Sequence, residues 1–246
     1  MEGWVAGVDG CPAGWIAAFA RTDGREPPRI RVVSGLRDIV EAPEAPAIVA
    51  VDMPIGLTER TDGAGRAPEK LVRPLLGGRQ SSVFSMPSRA AVYAGDYPEA
   101  CRIARATSEP PRAVSIQGFH LFPKIREIDA LLRARADLVG RIHEVHPEVA
   151  FWSMNGEEAL AQPKKVKGTP HGPGLDLRRG LLLKAGLPAG LVEASPPRGA
   201  AADDLLDALA GLVVALKIAD GQGRPFPDPP DRDANGLPVA IWSFRV

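Results

Sequence analysis

Two apolar runs of this 246-residue chain each stop on an aspartate, Val5-Ala6-Gly7-Val8-Asp9 and Ala47-Ile48-Val49-Ala50-Val51-Asp52. Further along, Asp204 and Asp207 stand three apart in Asp203-Asp204-Leu205-Leu206-Asp207-Ala208-Leu209-Ala210. A buried strand that ends on a carboxylate leaves the charge at the rim of a sheet, where ligands of α/β sheets bind. Gathered carboxylates repel one another, by roughly 4 kcal/mol per pair at ~4 Å and an effective dielectric near 20. A divalent cation is the usual means of holding them together. Gly10 lets the chain turn beside Asp9, and Pro54 and Gly56 bend it away after Asp52. A turn-capping role is the plainer alternative for Asp9.

The acids near residue 205 belong to a helix. Leu205, Leu206, Leu209, Leu212, Val213 and Leu216 form its apolar face. Asp204 and Asp207 are neighbours on one side, and Gly211 continues their stripe. Small Ala208 and Gly211 allow that side to lie close against a sheet. Asp203 and Asp204 suit the helix N-terminus by capping and by the dipole. Asp207, about a turn further in, is not explained that way.

Glu144, His146 and Glu148 form a second tier of candidates. Alternation from Ile142 puts Glu144 and His146 on one face of a strand, the first as a further ligand or orienter, the second as a proton carrier. Lys164, Lys165, Lys167, Arg178 and Arg179 suit the gripping of phosphates, or make an ordinary solvated loop. Arg79, Gln80, Ser81, Ser82 and Arg89 form another polar group for the same cleft.

These side chains need a frame. Gly3–Asp9, Trp15–Ala20 and Ile30–Ser34 read as an antiparallel meander with tight turns between. A short helix over Leu36–Val40 follows, then Ala47–Val51 as a strand buried on both faces. Residues 57–139 carry helical segments at Pro68–Leu76, Tyr97–Ala106 and Ile116–Arg135, too much chain for a simple connection. They read as an insertion within one domain spanning 1–246. Arg141–Val145 resumes the sheet, Ala159–Gly174 is a basic loop, and Leu175–Ala185 and Ala201–Ala219 are helices. The Pro- and Asp-rich tail at 221–236 precedes an expected last edge strand at Val239–Phe244. The fold class expected is α/β, a mixed sheet flanked by helices.

Apolar residues make up 45% of the chain, enough for a full core. Thirty basic residues balance thirty acidic ones, so no global field gathers nucleic acid. Twenty-six glycines and 25 prolines imply well-punctuated loops. Cys11 and Cys101 form no CxxC or Cys/His cluster, which argues against zinc and iron–sulfur chemistry. Without a leader pattern or a long apolar run, the expectation is a reduced, cytoplasmic protein with no membrane partner.

The strand-end acids, the meander and the late Asp-x-x-Asp-Ala-Leu-Ala helix together resemble the ribonuclease H-like superfamily. The helix motif is similar to that of RuvC-type Holliday-junction resolvases. More closely, the chain resembles domain-of-unknown-function family 429, described as predicted ribonuclease H-like nucleases. The matching segments are Gly7-Val8-Asp9-Gly10-Cys11-Pro12-Ala13-Gly14-Trp15, Val51-Asp52-Met53-Pro54-Ile55-Gly56-Leu57, Ser81-Ser82-Val83-Phe84, Glu144-Val145-His146-Pro147-Glu148 and the helix motif. The resemblance implies a ribonuclease H-like mixed sheet and a two-ion Mg2+ or Mn2+ site held by Asp9, Asp52, Asp204 and Asp207, hydrolysing phosphodiester bonds in nucleic acid. RuvC-like enzymes usually carry Glu where this chain has Asp52, and the 57–139 insertion is foreign to a minimal ribonuclease H domain. Two other classes stay open, an actin-like-fold ATPase or phosphotransferase and a catalytically silent adaptor. A homodimer stays open as the assembly state.

Overall fold

The computed structural model describes residues 2–245. Its centre is a five-stranded sheet in the order β3-β2-β1-β4-β5, formed by β1 (Trp4–Cys11), β2 (Gly14–Arg21), β3 (Arg29–Val33), β4 (Ile48–Val51) and β5 (Ile142–Glu144). β1, β2 and β3 make the antiparallel meander, and β4 and β5 join it in parallel. Side-chain alternation along the central strands sorts residues into two cores. Ala6, Val8, Trp15, Ala17, Val49 and Val51 pack on one face, and Val5, Ile16, Ala18, Ile48 and Ala50 on the other. Both faces are covered, which is why these runs are apolar throughout.

The first face is covered by α1 (Leu36–Val40) and by helices of the long segment between β4 and β5. That segment holds α2 (Ala67–Val72), a 3-10 stretch over Arg73–Ser82, α3 (Arg89–Val92), α4 (Tyr97–Ala106) and α5 (Ile116–Ala134). The expected Pro68–Leu76 helix is thus shorter. Pro74 and two glycines at 77–78 break it, Gly77 with φ +50°. The second face is covered by α6 (Pro147–Met154), α7 (Gly172–Lys184), α8 (Ala189–Val192) and α9 (Ala202–Ala219).

Two segments differ from expectation. The basic loop contains a small hairpin, β6 (Lys165–Val166) with β7 (Thr169–Pro170). The Pro-rich tail forms a strand, β8 (Gly223–Arg232), and pairs with β9 (Pro238–Phe244) as a separate two-stranded sheet. A single bridge between Val145 and Trp242 links β9 to the end of β5. Three of the four prolines of β8, Pro227, Pro229 and Pro230, fall where its register slips between Phe226 and Asp231 and no ladder donor is required of them, while Pro225 pairs with Trp242. No helix among the described residues is long and apolar enough to cross a membrane.

Candidate metal centre

Strand register brings the first two aspartates together. Val8 pairs with Val51 across the parallel β1–β4 ladder, and the Asp52 amide donates to the Val8 carbonyl at 2.9 Å. Asp9 and Asp52 therefore follow side by side at the same rim. By alternation both continue the row of Val5 and Ile48, which faces α9. Helix α9 lies unusually close there. A Cβ on Gly7 would stand 1.9 Å from the Leu212 nitrogen and 2.2 Å from the Ala208 carbonyl oxygen. Gly211 meets the Gly7 Cα from the other side, at 3.3 Å from its would-be Cβ. Backbone contact between helix and strand carries Asp204 and Asp207 to the two strand-end acids.

The electrostatics record this gathering. Burial first, then Asp52 and Asp207, push the Asp9 carboxyl well above its ordinary value, with Asp204 adding to them and Lys164 pulling against them. Burial raises Asp52 to about 7, opposed by Lys164 and assisted by Glu148. Asp207 rises to about 6 by burial, again with Lys164 opposing and Asp52 and Glu148 assisting. Burial also raises Asp204, which remains half-buried. One Asp204 oxygen is already engaged: Oδ2 accepts from the Ala201 amide at 2.8 Å, capping its own helix. The capping alternative is thus realised for Asp204, whose carboxylate still reaches Asp9.

A cation already stands among the carboxylates. The Lys164 ammonium pairs with Asp207 and interacts with Asp9 and Asp52. Burial pulls its pKa down, but the three acids more than offset that and hold it well above the usual lysine value. Lys164 was expected to grip phosphate, and nothing in its local spacing announces the pairing, which joins positions 43 apart. Among the described residues no three His, Cys, Asp or Glu side chains are set ready around one point. The acids close round an ammonium instead.

Even so, buried acceptors remain. Asp207 Oδ1 and Glu148 Oε2 accept no hydrogen bond from any described residue, and such groups cost about 1–3 kcal/mol each when left unmatched. Glu148 is held by Arg178, whose Nη2 donates to Oε1 at 2.5 Å. Oxygen-only donors, raised carboxyl pKa values and two unmatched buried oxygens suit a hard divalent cation. Asp9, Asp52, Asp204 and Asp207 would hold it, with Glu148 beside them.

Other candidates lie elsewhere or are committed. Glu144 pairs with Val51 across β4–β5, so it points to the opposite face from Asp52. There it binds Arg66, with Nη2 to Oε1 at 2.6 Å, and accepts from the Ile55 amide at 2.7 Å. Its reading as a metal ligand gives way to a structural one. Arg178 is fully buried, spending its donors on Glu148, the Gly174 carbonyl at 2.8 Å and the Gln162 carbonyl at 3.1 Å. It positions Glu148, and its one unmatched donor, Nε, is buried out of reach of a phosphate. Arg89 is spent likewise on Asp129 and on Asp233, the latter at 2.6 Å. Arg179 pairs with Asp176 at 2.7 Å and Lys165 with Asp203 at 2.6 Å. Lys167 is exposed at the tip of the β6–β7 hairpin, with φ +50°. Ser81 is exposed and Arg79 half-buried. Ser82 donates to the Arg79 carbonyl at 2.8 Å and borders a cavity that reaches Asp52. His146 Nε2 lies 3.3 Å from the Ser82 carbonyl oxygen, and burial lowers its pKa.

Fold and site together define a mixed α/β protein with an aspartate cluster where the parallel pairing of its two central strands ends. The chain belongs to the family described as protein of unknown function (DUF429), whose model matches residues 7–232, a span that includes all four aspartates. No curated protein and no solved structure matches it.

Proposed function

We propose that this protein is a ribonuclease H-like nuclease that hydrolyses phosphodiester bonds in nucleic acid with the help of two Mg2+ or Mn2+ ions. The observation that carries the reading is the gathering of Asp9, Asp52, Asp204 and Asp207 around a lone ammonium, with the Asp207 Oδ1 and Glu148 Oε2 oxygens unmatched. An antiparallel meander followed by parallel strands, with a late acidic helix laid on the first strand, supports the ribonuclease H-like assignment.

Divalent ions in such a site supply an activated water and neutralise the leaving oxygen. The protein's own groups do the rest. Asp9, which feels all three of the other acids, would be among the residues that hold the ions. Arg178 fixes Glu148 so that its free oxygen stays directed by one anchor. Lys164, paired with Asp207, would have to give way to a bound metal, and its ammonium would then be free to meet a phosphate. Lys165 and Lys167 on the neighbouring hairpin extend that contact along a strand of nucleic acid. His146, kept neutral by burial, borders the cavity reaching Asp52 and lies within electrostatic reach of Lys164 and Asp207.

The test pairs calorimetric titration with Mn2+ and cleavage assays on single-stranded, duplex, hybrid and branched nucleic acids. Expected are Mn2+ binding and cleavage in the parent protein and loss of both in Asp9→Asn and Asp207→Asn. Cleavage that survives both substitutions would overturn the assignment.

A further inference from the structure

Beside the carboxylates, a cavity of about 170 Å³ opens next to Asp52. Met53, Val83, Met86, Val145 and Ile241 form its walls, and Phe84, 37% exposed, stands at its mouth. The two acids that also reach the lining, Glu69 and Glu144, are both paired with the Arg66 guanidinium. The lining therefore offers apolar surface with the Asp52 carboxylate at its edge, while His146 Nδ1 is buried with no hydrogen-bond partner among the described residues. With Nε2–H directed to the Ser82 carbonyl, Nδ1 is the bare acceptor nitrogen of a neutral ring.

We propose that this cavity seats the base of the nucleotide whose phosphate lies on the carboxylate cluster, and that it is sized for a single-ring base. This rests on the nuclease reading given above. The size argument is direct: a core cavity of roughly 150 Å³ takes up benzene, and this one is slightly larger. Apolar walls accept the two faces of a planar ring, and Phe84 offers a stacking surface. Asp52 is shared between cavity and cluster, so a ring in the one has its phosphate within reach of the other. A paired and stacked base is not available for such insertion, so the fitting substrate is a single strand or an unpaired nucleotide.

Calorimetry with uridine, uridine 5′-monophosphate and adenosine 5′-monophosphate, with and without Mn2+, tests the assignment. Uridine 5′-monophosphate is expected to bind more tightly with Mn2+ than without it, and more tightly than the adenosine nucleotide. Val83→Trp, which fills the cavity, is expected to abolish uridine binding while Mn2+ binding persists. Phe84→Ala, at a partly exposed position where folding is not at stake, is expected to weaken uridine 5′-monophosphate binding by about tenfold, the scale of one lost stacking partner. Equal binding of both nucleotides, or uridine binding unchanged in both variants, overturns the proposal. If Mn2+ binds and nucleic acid is cut while both variants behave as the parent, the base pocket fails and the nuclease reading stands. If Mn2+ does not bind at all, the nuclease reading fails, and the base pocket, which rests on it, falls with it.

Discussion

Removing the Lys164 ammonium leaves Asp9, Asp52 and Asp207 facing one another with no counter-charge among them. Lys164→Gln is expected to lower the stability of the metal-free protein by about 2 kcal/mol, less than a wholly buried pair would cost because the lysine is partly exposed. It is also expected to tighten Mn2+ binding, since the ion no longer has to displace a bound cation. Urea denaturation in chelator and calorimetry measure the two effects, and looser Mn2+ binding would contradict the competition. A second consequence concerns pH. In the folded protein Asp52 sits at about 7 and Asp207 at about 6, above the unfolded carboxylate value near 4. The folded state therefore binds more protons across roughly pH 4–7, and the stability linked to these groups is lost as pH rises through that window. Metal-free protein should melt several degrees higher at about pH 5.5 than at about pH 7.5, and saturating Mn2+ should remove most of the difference. A flat or rising profile in chelator would contradict the burial that raises these carboxyls. At this scale the aspartates were legible, because each sits at a strand end or a helix position that local pattern defines. Lys164, Arg178 and Glu144 were not, since their roles depend on partners 30 or more residues away.

Among the elements, the closest joint is that between α9 and β1. A methyl group at Gly7 has no space, because the atoms it would meet are helix backbone rather than a flexible side chain. Gly7→Ala is expected to push α9 off the sheet, at a cost of about 3 kcal/mol or more. Mn2+ affinity should fall with it, as Asp204 and Asp207 move away from Asp9. Gly211→Ala, whose would-be Cβ lies 3.1 Å from the Ala50 carbonyl oxygen, should cost less. Thermal melts and Mn2+ titrations of the two variants check the order, and an unaffected Gly7→Ala would contradict the close packing. The strands β1, β2 and β4 and the helix α9 could be read from sequence because burial on two faces, or on one stripe, writes itself into an unbroken or periodic apolar pattern. Strand β8 could not. Its prolines signal a loop to any local rule, and only its partner β9 and the slip in register make room for them.

For the molecule as a whole, the helical segment between β4 and β5 is tied to the sheet by one buried guanidinium. Arg66 donates to Glu69 at 2.7 Å, to the carbonyls of Ile55 and Gly56 at 2.6 and 2.9 Å, and to Glu144 on β5. Arg66→Leu strands two buried carboxylates and two carbonyl acceptors, and a loss of about 3–5 kcal/mol is expected in urea denaturation. A change under about 1 kcal/mol would show that the tie is dispensable. That a large helical segment interrupts the sheet was visible where strand patterning stops after Asp52. That one arginine joins it to β5 and to the turn after β4 was not, since the sequence around Arg66 reads as ordinary loop. The joint between α9 and β1 has a further consequence, for the order in which the protein comes into being. During synthesis Asp9 and Asp52 emerge early and Asp204 and Asp207 about 150 residues later. Until that last helix leaves the ribosome and seals the first strand, a growing chain holds only half of a chelating set. On the proposed reading, no fragment released before that moment has the means to cut nucleic acid, and competence arrives together with completion of the core.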